Sequence, residues 1–200
     1  MSDRRRIVVG VTGASGAMYA MRTLQLLAAA DCEIHLVVSK LARRLINDEL
    51  GIKSMDLDEL TGGRSENVTL HNDGDVGAAP ASGSFVHDGM VIVPCSANTL
   101  GRIAGGMTEN LVQRAAACTL KERRTLVLCH RETPLTLIEI ENMAAVTRAG
   151  AIVAPLNPGF YLNPSKIEDL VDYMAARILA CLGIEHGLDV HWDEHLKRQR

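Results

Sequence analysis

Aromatic residues are scarce: one Trp, three Tyr and two Phe make up 3% of 200 residues. So few ring faces argue against stacking platforms for single-stranded nucleic acid. An excess of positive charge is also missing. Lys and Arg number 21 against 24 Asp and Glu, a net charge of −3 with a pI near 6.2. The overall positive field of a general nucleic-acid binder is therefore absent, and any cationic site must be local. The five cysteines, Cys32, Cys95, Cys118, Cys129 and Cys181, are odd in number, widely spaced and form no Cys-x-x-Cys. That argues against a disulfide framework or a zinc site and fits a reducing cytosol. No apolar run approaches the ~18 residues of a membrane span. Arg4, Arg5 and Arg6 precede an apolar stretch, but Gly10, Thr12, Gly13 and Ser15 interrupt it too early for a signal-peptide core. The expectation is a cytoplasmic protein without a membrane span.

What is present is globular: 47% hydrophobic and 22% charged residues. The length suits one domain over 1–200 that buries roughly 70% of its unfolded surface without a disulfide or metal staple. Ile7 to Val11 reads as a strand, followed by a Gly-rich turn and a helix over Gly16 to Ala30. Strands at Glu33 to Val38, Met90 to Val93, Thr125 to Cys129 and Ala151 to Ala154 alternate with helices at Lys40 to Leu50, Glu109 to Glu122 and Thr136 to Thr147. Such alternation means an α/β fold with a parallel sheet covered on both faces. A last helix is expected from Asn163 as N-cap and Pro164 at its first position to about Leu182. Residues 54–84, rich in Gly, Asn and Asp, read as a surface excursion with a short helix at Met55 to Leu60 and a strand at Asn67 to His71. A solvated tail is expected from about residue 184.

The first loop, Gly10-Val11-Thr12-Gly13-Ala14-Ser15-Gly16, follows a strand and opens a helix. Its N–H groups and the helix dipole suit an anion. Because Thr12 breaks GxGxxG and Ser39-Lys40 replaces an acid after the second strand, a mononucleotide such as FMN fits better than NAD. The competing reading is a tight turn with Ser15 as a cap. Pro94-Cys95-Ser96-Ala97-Asn98-Thr99 follows another strand end and offers neutral hydrogen-bonding groups, although Ser and Asn also cap helices routinely. Arg114 and Lys121 are seven residues apart on one helix face, and Arg131-Glu132 follows a strand, so the pattern gathers cations near one mouth. Arg177, three residues after Met174, sits at the border of an apolar face, where spacing alone favours snorkelling. Pro158-Gly159-Phe160-Tyr161 places two aromatics in a loop after the last strand. His186, His191 and His195 lack metal-ligand spacing, and no metal site is expected.

Thr12-Gly13-Ala14-Ser15-Gly16-Ala17, Pro80-Ala81-Ser82-Gly83-Ser84, Pro94-Cys95-Ser96, Leu120-Lys121-Glu122-Arg123-Arg124, Arg131-Glu132-Thr133-Pro134, Glu141-Asn142-Met143 and Pro158-Gly159-Phe160-Tyr161 occur in an order that resembles the UbiX-type flavin prenyltransferases. The resemblance runs from about Ile7 to Trp192. It implies a Rossmann or flavodoxin-like three-layer sandwich, a homo-oligomeric, dodecameric shell with shared active sites, and metal-free transfer of a dimethylallyl group from dimethylallyl phosphate to reduced FMN. The product, prenylated FMN, would serve a UbiD-type decarboxylase. By position, Gly13, Ala14, Ser15, Ser39, Ser96, Ala97, Asn98, Thr99, Arg114 and Arg131 fall to FMN. Lys121, Arg131, Tyr161 and Arg177 fall to the donor phosphate, which replaces the snorkelling role for Arg177, and Trp192 offers a π face to the prenyl group. Ser15, Glu49, Glu132 and Lys121 fall to catalysis, the first three as proton-relay groups.

The chain departs from that pattern at His130, where a valine or proline is expected, and at Ala97-Asn98. Pro94 to Thr99 also resembles the corresponding string of flavin-dependent cysteine decarboxylases. The PxMNxxMW string of that class is absent. A non-catalytic FMN carrier is the third reading, and it leaves the phosphate-binding residues without a purpose.

Overall fold

The structure, a computed structural model, describes residues 4–190. Six parallel strands form one sheet in the order β3-β2-β1-β4-β5-β6. They are β1 (Arg6–Val11), β2 (Glu33–Val38), β3 (Val68–Asn72), β4 (Gly89–Cys95), β5 (Thr125–His130) and β6 (Ile152–Val153). Connecting them are α1 (Ala17–Ala29), α2 (Lys40–Leu50), α3 (Leu57–Thr61), α4 (Ala97–Ala104), α5 (Leu111–Lys121) and α6 (Leu137–Arg148), with α7 (Ile167–Cys181) after β6. The expected α/β three-layer sandwich is what forms. Strand order reverses between β1 and β4, and a ligand crevice opens outside the carboxyl ends of strands at such a point.

Alternate residues of the central strands face opposite layers, and both layers are apolar. Ile7, Val9, Val11, Leu36, Val91 and Val127 pack with Leu24, Leu27, Ala175 and Ile178 of α1 and α7. Val8, Met90, Ile92, Leu126 and Leu128 pack with Leu100 of α4 and Leu111, Val112 and Ala115 of α5. A strand buried on both faces reads as a continuous apolar run, as β4 does.

Three expectations need correction. Residues 54–84 are built into the fold and not a surface excursion alone. β3 pairs with β2 from Ile34↔Val68 to Val38↔Asn72, and Leu60 and Thr61 of α3 are buried. Asp73 then accepts the Val112 N–H at its carboxylate and the Leu111 N–H at its carbonyl, so this segment caps α5. Pro80 and Ala81 are buried, and the Ala81 carbonyl accepts the Arg114 Nε–H and the Cys118 thiol. The expected gathering of polar residues conceals these few docking contacts.

The last helix begins three residues later than Pro164. Asn163 lies at φ +53, and the Asp169 carboxylate collects the N–H groups of Ser165 and Lys166. That carboxylate draws the first turn to itself and starts α7 at Ile167. The described part of the tail is also packed in part: Ile184 is buried and Leu188 lies against the core of α1 and α7. Trp192, His191 and His195 lie outside the described residues.

Candidate functional site

Two loops meet where β1 and β4 end. Thr12, 3% exposed, donates its hydroxyl to the Pro94 carbonyl at 2.8 Å and accepts the Ser96 N–H at 2.9 Å. No sequence motif signals this bridge. It ties the β1 loop to the β4 loop. Gly13 lies against α2, where an added Cβ would come 2.5 Å from Leu41 Cδ2 and would force the Leu41 side chain to move.

The crevice holds a cavity of about 440 Å3 lined by Thr12, Gly13, Ala14, Ser39, Ser96, Ala97, Asn98, Thr99, Arg131 and Glu132, with Lys40, Leu41 and Asn110. Nearly all the residues expected around a flavin therefore converge. Ser39 and Ser96 each accept a backbone N–H as N-caps, of α2 and α4 respectively. These two serines cap helices and line the cavity as well. A second cavity of about 390 Å3 adjoins it, lined by His130, Arg131, Glu132, Pro134, Leu135, Met143, Pro155 and Leu156 among others. Arg131 and Glu132 are common to both walls.

Arg131 is held by a 3.1 Å hydrogen bond from its Nε–H to the Ser15 carbonyl, which joins the β5 loop to the β1 loop. Glu49 comes from the end of α2. Its carboxylate accepts the Gly16 N–H at 3.0 Å and the Ala17 N–H at 2.8 Å. The anion expected at the α1 N-terminus is thus partly the chain's own, and those two donors are not free for a ligand phosphate. Glu132 accepts the Thr133 N–H at 3.1 Å with one oxygen.

Tyr161 and Arg177 form a separate group beside α7. The Tyr161 hydroxyl donates to the Tyr173 hydroxyl at 3.2 Å, with the rings edge to face. That bond, aided by burial, raises the Tyr161 phenol above its usual range, while the nearby Arg177 charge opposes the rise. Tyr173 and Arg177 are four residues apart on one helical face.

Lys121 does not join the mouth within one chain. α5 runs back from Asn110 at the cavity towards β5, so Lys121 lies about 16 Å along the helix from it. Lys121 Nζ pairs with Glu122 at 3.1 Å and its side chain is 66% exposed, while Arg114 reaches the Ala81 carbonyl. Seven-residue spacing put both on one face correctly but said nothing of distance from the crevice.

The model of the Flavoprotein family matches residues 1–179. The flavin prenyltransferase UbiX of Pseudomonas aeruginosa is 41% identical over 202 residues, covering 97% of each chain. This chain belongs to the UbiX-type flavin prenyltransferase family. Among solved structures, AnUbiX (PadA1) in complex with FMN and dimethylallyl pyrophosphate superposes with a TM-score of 0.85 at 43% identity, covering 92% of this chain and 95% of that one. A dodecameric FMN-dependent UbiX-like decarboxylase from Escherichia coli O157:H7 gives 0.86 at 40% identity, covering 94% and 98%. Membership in the UbiX-type family accounts for the order of the motifs along the whole chain. It makes the chain an enzyme, a flavin prenyltransferase.

Proposed function

We propose that this enzyme joins a dimethylallyl group from dimethylallyl phosphate, or its diphosphate, to reduced FMN, and that the product is the cofactor of a UbiD-type decarboxylase. FMN is the cofactor. The observation that carries the reading is the shared wall: Arg131 and Glu132 separate a cavity of neutral donors from a more apolar one. The donor set fits a flavin, with hydroxyls at Ser39, Ser96 and Thr99, an amide at Asn98 and cations at Arg131 and Lys40. Bound there, FMN supplies the nucleophilic ring atoms, N5 and C6.

The chain's own residues supply the rest. Arg131 and Arg177, with the Tyr161 hydroxyl, bind the donor's phosphate and stabilise charge developing on it as the C–O bond breaks. Glu132, with one carboxylate oxygen held by Thr133 N–H, is placed to accept a proton during ring closure. Ser15 and Glu49, whose carboxylate holds the next two residues Gly16 and Ala17, complete the relay. Gly13, Ala14 and Ala97 give the ring close backbone contact.

Lys121 and Arg114 act in the site of a second copy of the chain. Lys121 is exposed and remote from its own cavity, and Leu137, Ile138 and Ile140 of α6 leave an apolar face of 50–70% exposed side chains, as expected of an oligomer surface. Localisation in the cytoplasm and the role of Trp192 belong to the same proposal. The test is anaerobic incubation with reduced FMN and dimethylallyl phosphate, followed by the mass of the released flavin.

A further inference from the structure

The carboxyl ends of β4 and β5 are joined irregularly. Their ladder runs in register from Gly89↔Thr125 to Ile92↔Leu128, shifts, and resumes only at Cys95↔His130. Pro94, inside the interruption, has no N–H to donate. At the point where pairing resumes, a side chain reinforces the backbone bond: His130 Nδ1 lies 3.0 Å from the Cys95 carbonyl. A carbonyl only accepts, so Nδ1 carries the proton. The Arg131 N–H approaches that same carbonyl at 3.4 Å.

His130 is buried. Nε2 has no hydrogen-bond partner, and its nearest acid is the Glu139 carboxylate, with Oε1 at 3.5 Å. The second oxygen of Glu139 is committed to the N–H and hydroxyl of Thr136 in the cap of α6. His130 thus touches β4 through Cys95 and the start of α6 through Glu139. The residue after Cys95 is Ser96 and the residue after His130 is Arg131, and both line the larger cavity from neighbouring strand ends.

We propose that His130 is a positioning residue of the FMN site, setting through its Nδ1–H to Cys95 how the Ser96–Thr99 loop stands relative to the neighbouring Arg131–Glu132 loop. It touches no cofactor in this role. The inference rests on FMN binding and is independent of prenyl transfer, since binding is read without a prenyl donor.

Oxidised FMN is titrated by fluorescence quenching into the full-length wild type, His130→Leu, His130→Asn and His130→Gln, with visible circular dichroism of the bound flavin. Asn carries a donor where Nδ1 stands and Gln carries one near Nε2, so the two variants separate the two contacts. Expected is about tenfold weaker binding and an altered flavin band in His130→Leu, with recovery to within about threefold of wild type in His130→Asn. Where His130→Leu fails to fold, tighter binding by His130→Asn than by His130→Gln carries the proposal. Wild-type affinity in His130→Leu, no recovery in His130→Asn, or Gln equal to or better than Asn overturns it. Absence of FMN binding by the wild type would overturn this inference and the cofactor assignment together.

Discussion

The Glu49 carboxylate, from the last turn of α2, closes on the first turn of α1 through the N–H groups of Gly16 and Ala17, at 3.0 and 2.8 Å. A charged acceptor at a helix N-terminus satisfies orphan donors and complements the dipole. Glu49→Ala is expected to lower unfolding stability by about 1 kcal/mol, measured by urea titration of the apoprotein. Prenyl transfer should fall more steeply than FMN affinity, because the same carboxylate belongs to the relay with Ser15. Full activity in this variant would remove Glu49 from that relay.

Arg177 is assigned to the donor and not to the flavin. Arg177→Ala should therefore leave FMN affinity within about threefold of wild type while prenyl transfer falls by about a hundredfold or more, the scale for losing an oriented group that stabilises developing charge. Measuring flavin binding and turnover per bound flavin separately gives the answer. Lost flavin with unchanged turnover per bound FMN would contradict the assignment.

The remoteness of Lys121 gives a complementation test. Lys121→Ala and Arg131→Ala chains should each be nearly inactive alone. Co-expressed and co-purified as mixed oligomers, they should regain measurable prenyl transfer, because some sites then combine an intact Arg131 with the Lys121 of a neighbour. Activity no higher than either parent in mixed oligomers of verified composition would place both residues in one chain's site.

Acid stability divides into two windows. His71 and His87 are held below the ordinary histidine value of 6.5, mainly by burial. Below about 6.5 the unfolded chain binds protons that these folded residues resist, so stability falls as pH drops from there towards their folded values. Glu33 is held below 4.5 chiefly by its bond to Arg6, and Glu139 by the Thr136 N–H. Their contributions are present above 4.5 and are lost as pH falls through the folded values. Chemical unfolding across pH 3–8, with His71→Asn/His87→Asn flattening only the upper window, checks the division.

Much of this was legible in the sequence because the strands are short β-branched runs and each ends in a recognisable loop. Glu33–Val38 and Lys40–Leu50 match their expected bounds, and most of the residues singled out after β1, β2, β4 and β5 line one cavity, though Ser15 does not. What stayed hidden depends on direction and partner. Lys121 has the right face but the wrong end of α5, since periodicity carries no information about which edge of the sheet a helix residue reaches. The start of α7 was misplaced because Asn163-Pro164 looks like a helix opening, whereas the Asp169 carboxylate fixes the first turn through Ser165 and Lys166. Thr12 and His130 act through bonds to the carbonyls of Pro94 and Cys95, and no local pattern announces a bond across more than thirty residues.

The most direct test of the central claim is the mass of the flavin released after anaerobic incubation of purified enzyme with reduced FMN and dimethylallyl phosphate. FMN heavier by one five-carbon prenyl unit is expected, formed by the wild type and about a hundredfold or more slowly by Arg177→Ala. Unmodified FMN from flavin-loaded wild type, with dimethylallyl diphosphate also ineffective and an active prenyltransferase working in parallel, would contradict it.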